Sequence, residues 1–89
     1  LRIIDCEWDD WNTDHILDHD VEPYEVEEVF ANRPFIRKVK EGKYMAFGQN
    51  NSGRYLTIVF AYRGQGRAHI VTARDSNSKE VKHAKNKGK

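Results

Sequence analysis

Arg54, Arg63, Arg67 and Arg74 fall within a stretch of 21 residues that also holds His69. Guanidinium forks match the oxygens of a phosphate bidentately and stay charged at any working pH, so arginines flanking the same strands point to a phosphate-bearing ligand. A lone surface arginine is ordinarily a solvated charge worth little to stability, and a set of four weakens that reading. Arg74 ends the last apolar run and ranks first among the phosphate contacts. Arg67 and His69 alternate, which on a strand places both on one face. Neighbouring like charge disfavours the imidazolium, so His69 is expected to act as a base; an exposed strand histidine without a role is the plain alternative. His19 has the opposite surroundings: Asp18 and Asp20 favour its charged form, which suits an acid, although a histidine at a helix end also serves simply as a cap. Lys43, Tyr44 and Tyr62 can add hydrogen bonds or stacking, with Tyr62 better placed to pack at the sheet end.

Other chemistries fit poorly. His15 and His19 have helical i, i+4 spacing, but neither an HExxH signature nor a CxxC pair accompanies them, and the carboxylates from Asp5 to Asp20 lack the glycine of a calcium loop. Neither metal nor other cofactor is expected. Cys6, beside Asp5 and Glu7, lacks the electropositive setting that activates a thiol and reads as structural. A single cysteine cannot close a disulfide within the chain, so a reducing cytoplasm is the natural compartment. Nothing resembles a signal peptide, and apolar runs of about seven residues are too short to span a bilayer, so no membrane partner is expected.

Charge is unevenly spread. Residues 1–32 hold eleven carboxylates against Arg2, whereas residues 33–89 hold fourteen Lys and Arg against Glu41, Asp75 and Glu80, so the two parts carry about −10 and +11. The net charge of +1 hides this split. Phosphates can meet the basic part and a cationic partner the acidic part, unless the two parts merely neutralise each other in the fold.

The elements that must position these groups follow from pattern. At 89 residues with ten aromatic side chains, the chain is expected to be one small folded domain. Residues 2–8 read as a short strand ending at Asp9 and Asp10, which offer a helix cap. A helix over about 10–19 carries Trp11, His15 and His19 on one face, and Trp8 and Trp11 are expected in the core. Pro23 starts a second helix reaching about Ala31, with Val26, Val29 and Phe30 inward. Phe35, Ile36 and Val39 lead into extended structure. Strands follow at 43–49, 54–62 and 67–73, joined by turns at Asn50–Gly53 and Arg63–Gly66. The expected class is α+β, with the two helices covering one face of an antiparallel meander. A weak helical period runs to about Ala84, and residues 85–89 form a lysine-rich tail expected to be flexible. That tail can add backbone affinity for nucleic acid or act only as a solubilising end.

In this order the chain resembles the BrnT-type toxins of bacterial toxin–antitoxin pairs, members of the RelE-like ribonuclease group. The resemblance spans about residues 5–81 and rests on Glu7-Trp8-Asp9, on Ile16, His19 and Val21, and on the run ending at Phe30. Gly53-Arg54, Arg63-Gly64 and the closing HIVTAR strand with Glu80 beyond it complete the set. It implies a RelE-like domain over residues 1–84 acting as an endoribonuclease that inhibits translation without a cofactor. Metal-free RNA cleavage needs a base for the ribose 2′-OH, an acid for the leaving 5′ oxygen and cations for the phosphorane. His19, at the family's helix histidine, His69 and Arg74 then become the catalytic candidates, with Arg54, Arg63, Arg67, Lys43 and Tyr44 binding RNA. Implied partners are RNA and a cognate antitoxin, itself a DNA-binding dimer; the free toxin is expected as a monomer or small oligomer. Two departures stand out. Asp18-His19-Asp20 replaces the usual KHG, and the C-terminal segment lacks a tyrosine, which leaves a noncatalytic binding module on the same fold as the second reading. A DNA-binding accessory, supported only by the basic tail, is the third.

Overall fold

The computed structural model describes residues 1–86. Eight elements follow in chain order: β1 (Asp5–Glu7), α1 (Asp10–Leu17), α2 (Pro23–Ala31), β2 (Phe35–Lys38), β3 (Lys43–Gln49), β4 (Tyr55–Gly64), β5 (Arg67–Asp75) and α3 (Ser78–Lys85). The sheet order is β1-β5-β4-β3-β2, antiparallel throughout except that β1 lies parallel to β5. The expected meander and helical hairpin are therefore present, and β1 is shorter than the 2–8 run expected for it. Lys85 closes α3 rather than starting a tail, and residues 87–89 of the expected tail lie outside the described residues.

One sheet face carries the core. Ile16, Val21, Val26, Val29 and Phe30 from the helical layer meet Ala46, Leu56, Ile58, Phe60, Ala68, Ile70 and Ala73 from the strands. Both helices form for the reasons visible in their sequence: Asp9 caps α1, and Pro23 occupies the first turn of α2, where its missing N–H costs nothing. Gly48 lets α2 and the segment after it sit close, since a Cβ there would lie 3.1 Å from Val29 Cγ1 and 2.9 Å from Pro34 Cβ. Trp11 departs from expectation. It is 63% exposed and stacks on His15 on the outer side of α1, because the inward arc of this short helix is taken by Asn12 and Ile16.

Asn12 is fully buried and uses every polar atom it has. Its side-chain oxygen accepts from the Asp9 N–H, its own N–H donates to the Asp9 carboxylate, and its amide donates to the carbonyls of Glu7 and Ile70 at 3.0 and 2.9 Å. One side chain thus ties the start of α1 to the end of β1 and the middle of β5. β1 is seated at its other end by Gly66, whose carbonyl accepts from the N–H groups of Ile4 and Asp5, and where a Cβ would strike Ile4 at 2.7 Å.

The opposite sheet face is divided. At one end α3 covers it, with His83 packed against Phe35 and Phe47. The remainder is floored by half-buried Met45, Val59, Ala61 and Thr72, and no helix among the described residues covers it. A register shift between Val59 and Phe60 leaves Val71 as the extra residue on β5. Because side chains alternate, that bulge is what brings Thr72 and Arg74 to the same face as Arg67 and His69.

Replacing Asn12 by alanine strands two carbonyls and removes the capping partner, so Asn12→Ala is expected to destabilise the fold by about 2–4 kcal/mol in urea titration. Asn12→Asp should be no better, since a carboxylate cannot donate to either carbonyl.

Candidate active site

Four residues on neighbouring strands form a transverse row across the open face: Lys43 on β3 pairs with Ala61 on β4, Ala61 with His69 on β5, and His69 with Glu7 on β1. Paired residues share a face, so Lys43, His69 and Glu7 all project on the open side, and the small Ala61 leaves a recess between Lys43 and His69. Glu7 is the focus of the cations. Its carboxylate lies 3.4 Å from Arg63 Nε, 3.8 Å from an Arg67 terminal nitrogen and 3.7 Å from His69 Nδ1. All four side chains are partly open to solvent. A second register shift, between Tyr62 and Gly64, makes Arg63 a bulge residue at the end of β4, which aims its guanidinium back over β1. Beside Lys43, a broad basic depression is lined by Arg37, Lys38, Val39 and Lys40.

The other two arginines are spent on structure. Arg54 reaches Glu25 at 3.1 Å, Asp75 at 2.7 Å and the Asp20 carbonyl at 2.7 Å, joining the loop after α1, helix α2 and the end of β5. Its hydrogen bond to Asp75 raises its own pKa and lowers that of Asp75. Arg74 is on the open-face side but is clamped by Glu80 of α3 in a fork of two 2.8 Å hydrogen bonds. The Arg74 guanidinium is the main reason the Glu80 carboxyl is held down at about 2, with the Asn77 N–H and Thr57 hydroxyl helping and burial opposing. The carboxylates that hold Arg54 lie 21 and 29 residues away in sequence, whereas Glu80 follows Arg74 by six.

Two further expected residues stand apart from this row. His19 follows α1, with His15 edge-on to it and Trp11 beyond, on the helical side of the sheet. Tyr44 alternates with Lys43 and so turns to the core side, where it stacks on Phe60. Tyr62 packs there too, its hydroxyl accepting from the Gly66 N–H. Cys6 also faces inward: burial pushes its thiol up to about 12, with the Glu27 and Asp5 charges adding to the effect. Among the described residues, no group of three or more His, Cys, Asp or Glu side chains is placed to hold a metal ion. Glu7 and Arg37 were not among the expected ligand-binding residues. Glu7 is hidden in a long acidic run, and only its pairing with His69 separates it from its neighbours.

A basic recess around a histidine and a carboxylate suits acid–base chemistry on a phosphodiester. Compared with known families, residues 8–80 match the one described as ribonuclease toxin, BrnT, of type II toxin-antitoxin system. The chain belongs to the BrnT family. It is accordingly an RNA-cleaving toxin, with RNA as substrate and a cognate antitoxin as partner. No curated protein and no solved structure shows significant similarity to it. No helix among the described residues of this BrnT chain is long and apolar enough to cross a membrane.

The Arg74–Glu80 clamp gives an acid-stability signature. A carboxyl whose pKa falls on folding contributes stability above its unfolded value, here 4.5, and loses it as pH drops through the folded value of about 2. Glu80→Gln should therefore cost about 1–2 kcal/mol at neutral pH, after allowance for solvent screening, and should flatten the fall in stability between those two pH values. Urea midpoints of both proteins across that window check this.

Proposed function

We propose that RNA is cut on the open face of the sheet, with the scissile phosphate held by Arg63 and Arg67 and with His69 transferring a proton. The observation that supports this most is the convergence of Arg63, Arg67 and His69 at one end of a transverse row whose other end is Lys43. Lys43, with Arg37, Lys38 and Lys40 beside it, extends the cationic surface along the hairpin β2–β3, a suitable track for the flanking backbone of a single strand. Cleavage proceeds without metal, using the ribose 2′-OH as the nucleophile, and cutting messenger RNA stops translation. Arg54 and Arg74 support the scaffold in this reading, and His19 and Tyr44 take no part in the chemistry.

The cognate antitoxin neutralises the toxin by masking the basic face, and its own basic residues find the acidic helical hairpin, so both poles of the chain are used. A DNA-binding dimer is the expected form of that antitoxin, the cytoplasm the site of action, and a monomer or small oligomer the form of the free toxin.

Expression in a bacterial host at matched soluble levels tests the assignment. The parent chain should arrest growth and generate new RNA ends. His69→Ala and Arg67→Ala should each lower cleavage roughly 10²-fold or more and restore growth, whereas His19→Ala and Tyr44→Phe should stay within a few-fold of the parent. Full toxicity of folded Arg67→Ala, or its loss in folded His19→Ala, would count against the open face.

A further inference from the structure

We propose that Glu7 is the general base of RNA cleavage and His69 the general acid, an assignment that rests on the open face being the RNA site. It reverses the role expected of His69 from its arginine neighbours alone, and it gives a catalytic role to a residue just outside the segment matched to the family.

The geometry separates Glu7 from the other paired carboxylates of the chain. Asp75, Glu80 and Glu25 each accept a hydrogen bond from an arginine, at 2.7, 2.8 and 3.1 Å. Charge-assisted hydrogen bonds of that kind belong at roughly 2.7–2.9 Å. Glu7 faces three cationic or potentially cationic groups at 3.4, 3.7 and 3.8 Å, and its carboxylate accepts no hydrogen bond from a side chain among the described residues. Its oxygens are close enough to the arginines to lie beside a phosphate held there, and unoccupied enough to take a proton. The backbone beneath is fixed: Asn12 holds the Glu7 carbonyl, and the parallel register holds Glu7 beside His69. The groups facing Glu7 are Arg63 from β4, Arg67 and His69 from β5, and Asp5 two residues earlier on the same face of β1.

The step is balanced without any co-reactant. The 2′-OH proton passes to a Glu7 carboxylate oxygen as the 2′ oxygen bonds to phosphorus. The bond from phosphorus to the 5′ oxygen breaks, its electron pair stays on that oxygen, and the proton it needs comes from the His69 imidazolium. A 2′,3′-cyclic phosphate and a 5′-hydroxyl result. Glu7 then releases its proton to water and His69 regains one, restoring both groups. Arg63 and Arg67 stabilise the charge on the phosphorane oxygens in between.

A carboxylate that merely shields the arginines would behave differently on removal of its charge. The full chain and its Glu7→Gln, Glu7→Asp and Arg67→Ala variants are compared on an in vitro transcript, with and without ribosomes. Binding is followed on a single-stranded DNA of the same sequence, which lacks the 2′-OH and cannot be cut. For Glu7→Gln, kcat is expected to fall roughly 10²-fold or more and its acid limb to disappear from the pH profile, with DNA binding equal to or tighter than the parent's. Glu7→Asp should retain part of the rate and the acid limb. Glu7→Gln that binds normally and cuts within threefold of the parent, with the same pH profile, overturns the assignment while leaving the site in place. DNA binding unchanged by Arg67→Ala overturns the site itself, and a folded parent chain that leaves the transcript intact in both formats overturns both.

Discussion

The arrangement depends on one buried side chain, Asn12. A short parallel strand of three residues has too few ladder bonds to hold itself at the edge of a sheet, and β1 is such a strand. Asn12 compensates by spanning the Glu7 and Ile70 carbonyls while it completes the cap of α1. Helix start, edge strand and central strand are thereby fixed by one amide, buried and fully satisfied. The pairing that places Glu7 against His69 at one end of the open face is held by the same amide.

The four arginines of β4, β5 and the turn before β4 fall into two classes by how they meet carboxylates. Arg54 and Arg74 make short contacts to Asp75 and Glu80, and each ties a separate element to the sheet: Arg54 the helical hairpin, Arg74 the C-terminal helix. Arg63 and Arg67 stand farther from Glu7 and remain about half exposed. The first class is engaged in short hydrogen bonds; on the proposed reading the second is left to meet a phosphate. The charge split seen along the chain acquires a structural meaning here, since part of the acidic segment, Glu7 and Glu25, is drawn against the basic strands, while Asp10, Asp14 and Asp18 stay outward on α1 without an ion pair among the described residues.

Much of the fold was legible because period and punctuation agree. Pro23 marks the second helix, the Asn50–Gly53 turn marks a hairpin, and the alternating runs at 43–49 and 67–73 define strands whose ends match the structure within two residues. What escaped depends on contacts between distant residues. No local pattern announces that three residues pair in parallel with β5, or that Val71 bulges and carries Arg74 to the other face. The arginines were found by type, but only tertiary structure tells the two that close onto Glu80 and Asp75 from the two that stay open. Tyr44 illustrates a simpler limit: strict alternation forbids adjacent Lys43 and Tyr44 from lining the same face, and the tyrosine goes to the core. Trp11 shows the reverse, an aromatic residue left outside because a two-turn helix has room inward only for Asn12 and Ile16.

On the proposed reading RNA lies on the open face, against β1, β4 and β5, and not on the helical layer. Amide and side-chain NMR shifts of the labelled chain, titrated with a single-stranded oligonucleotide methylated at every 2′ oxygen to block cleavage, test it most directly. Perturbations concentrated at Glu7, Arg63, Arg67, His69 and Lys43, with α1 and α2 largely silent, are the predicted result. Shifts centred on the Trp11–His15–His19 face of the helical layer, with the arginine end of the sheet unmoved, would contradict it.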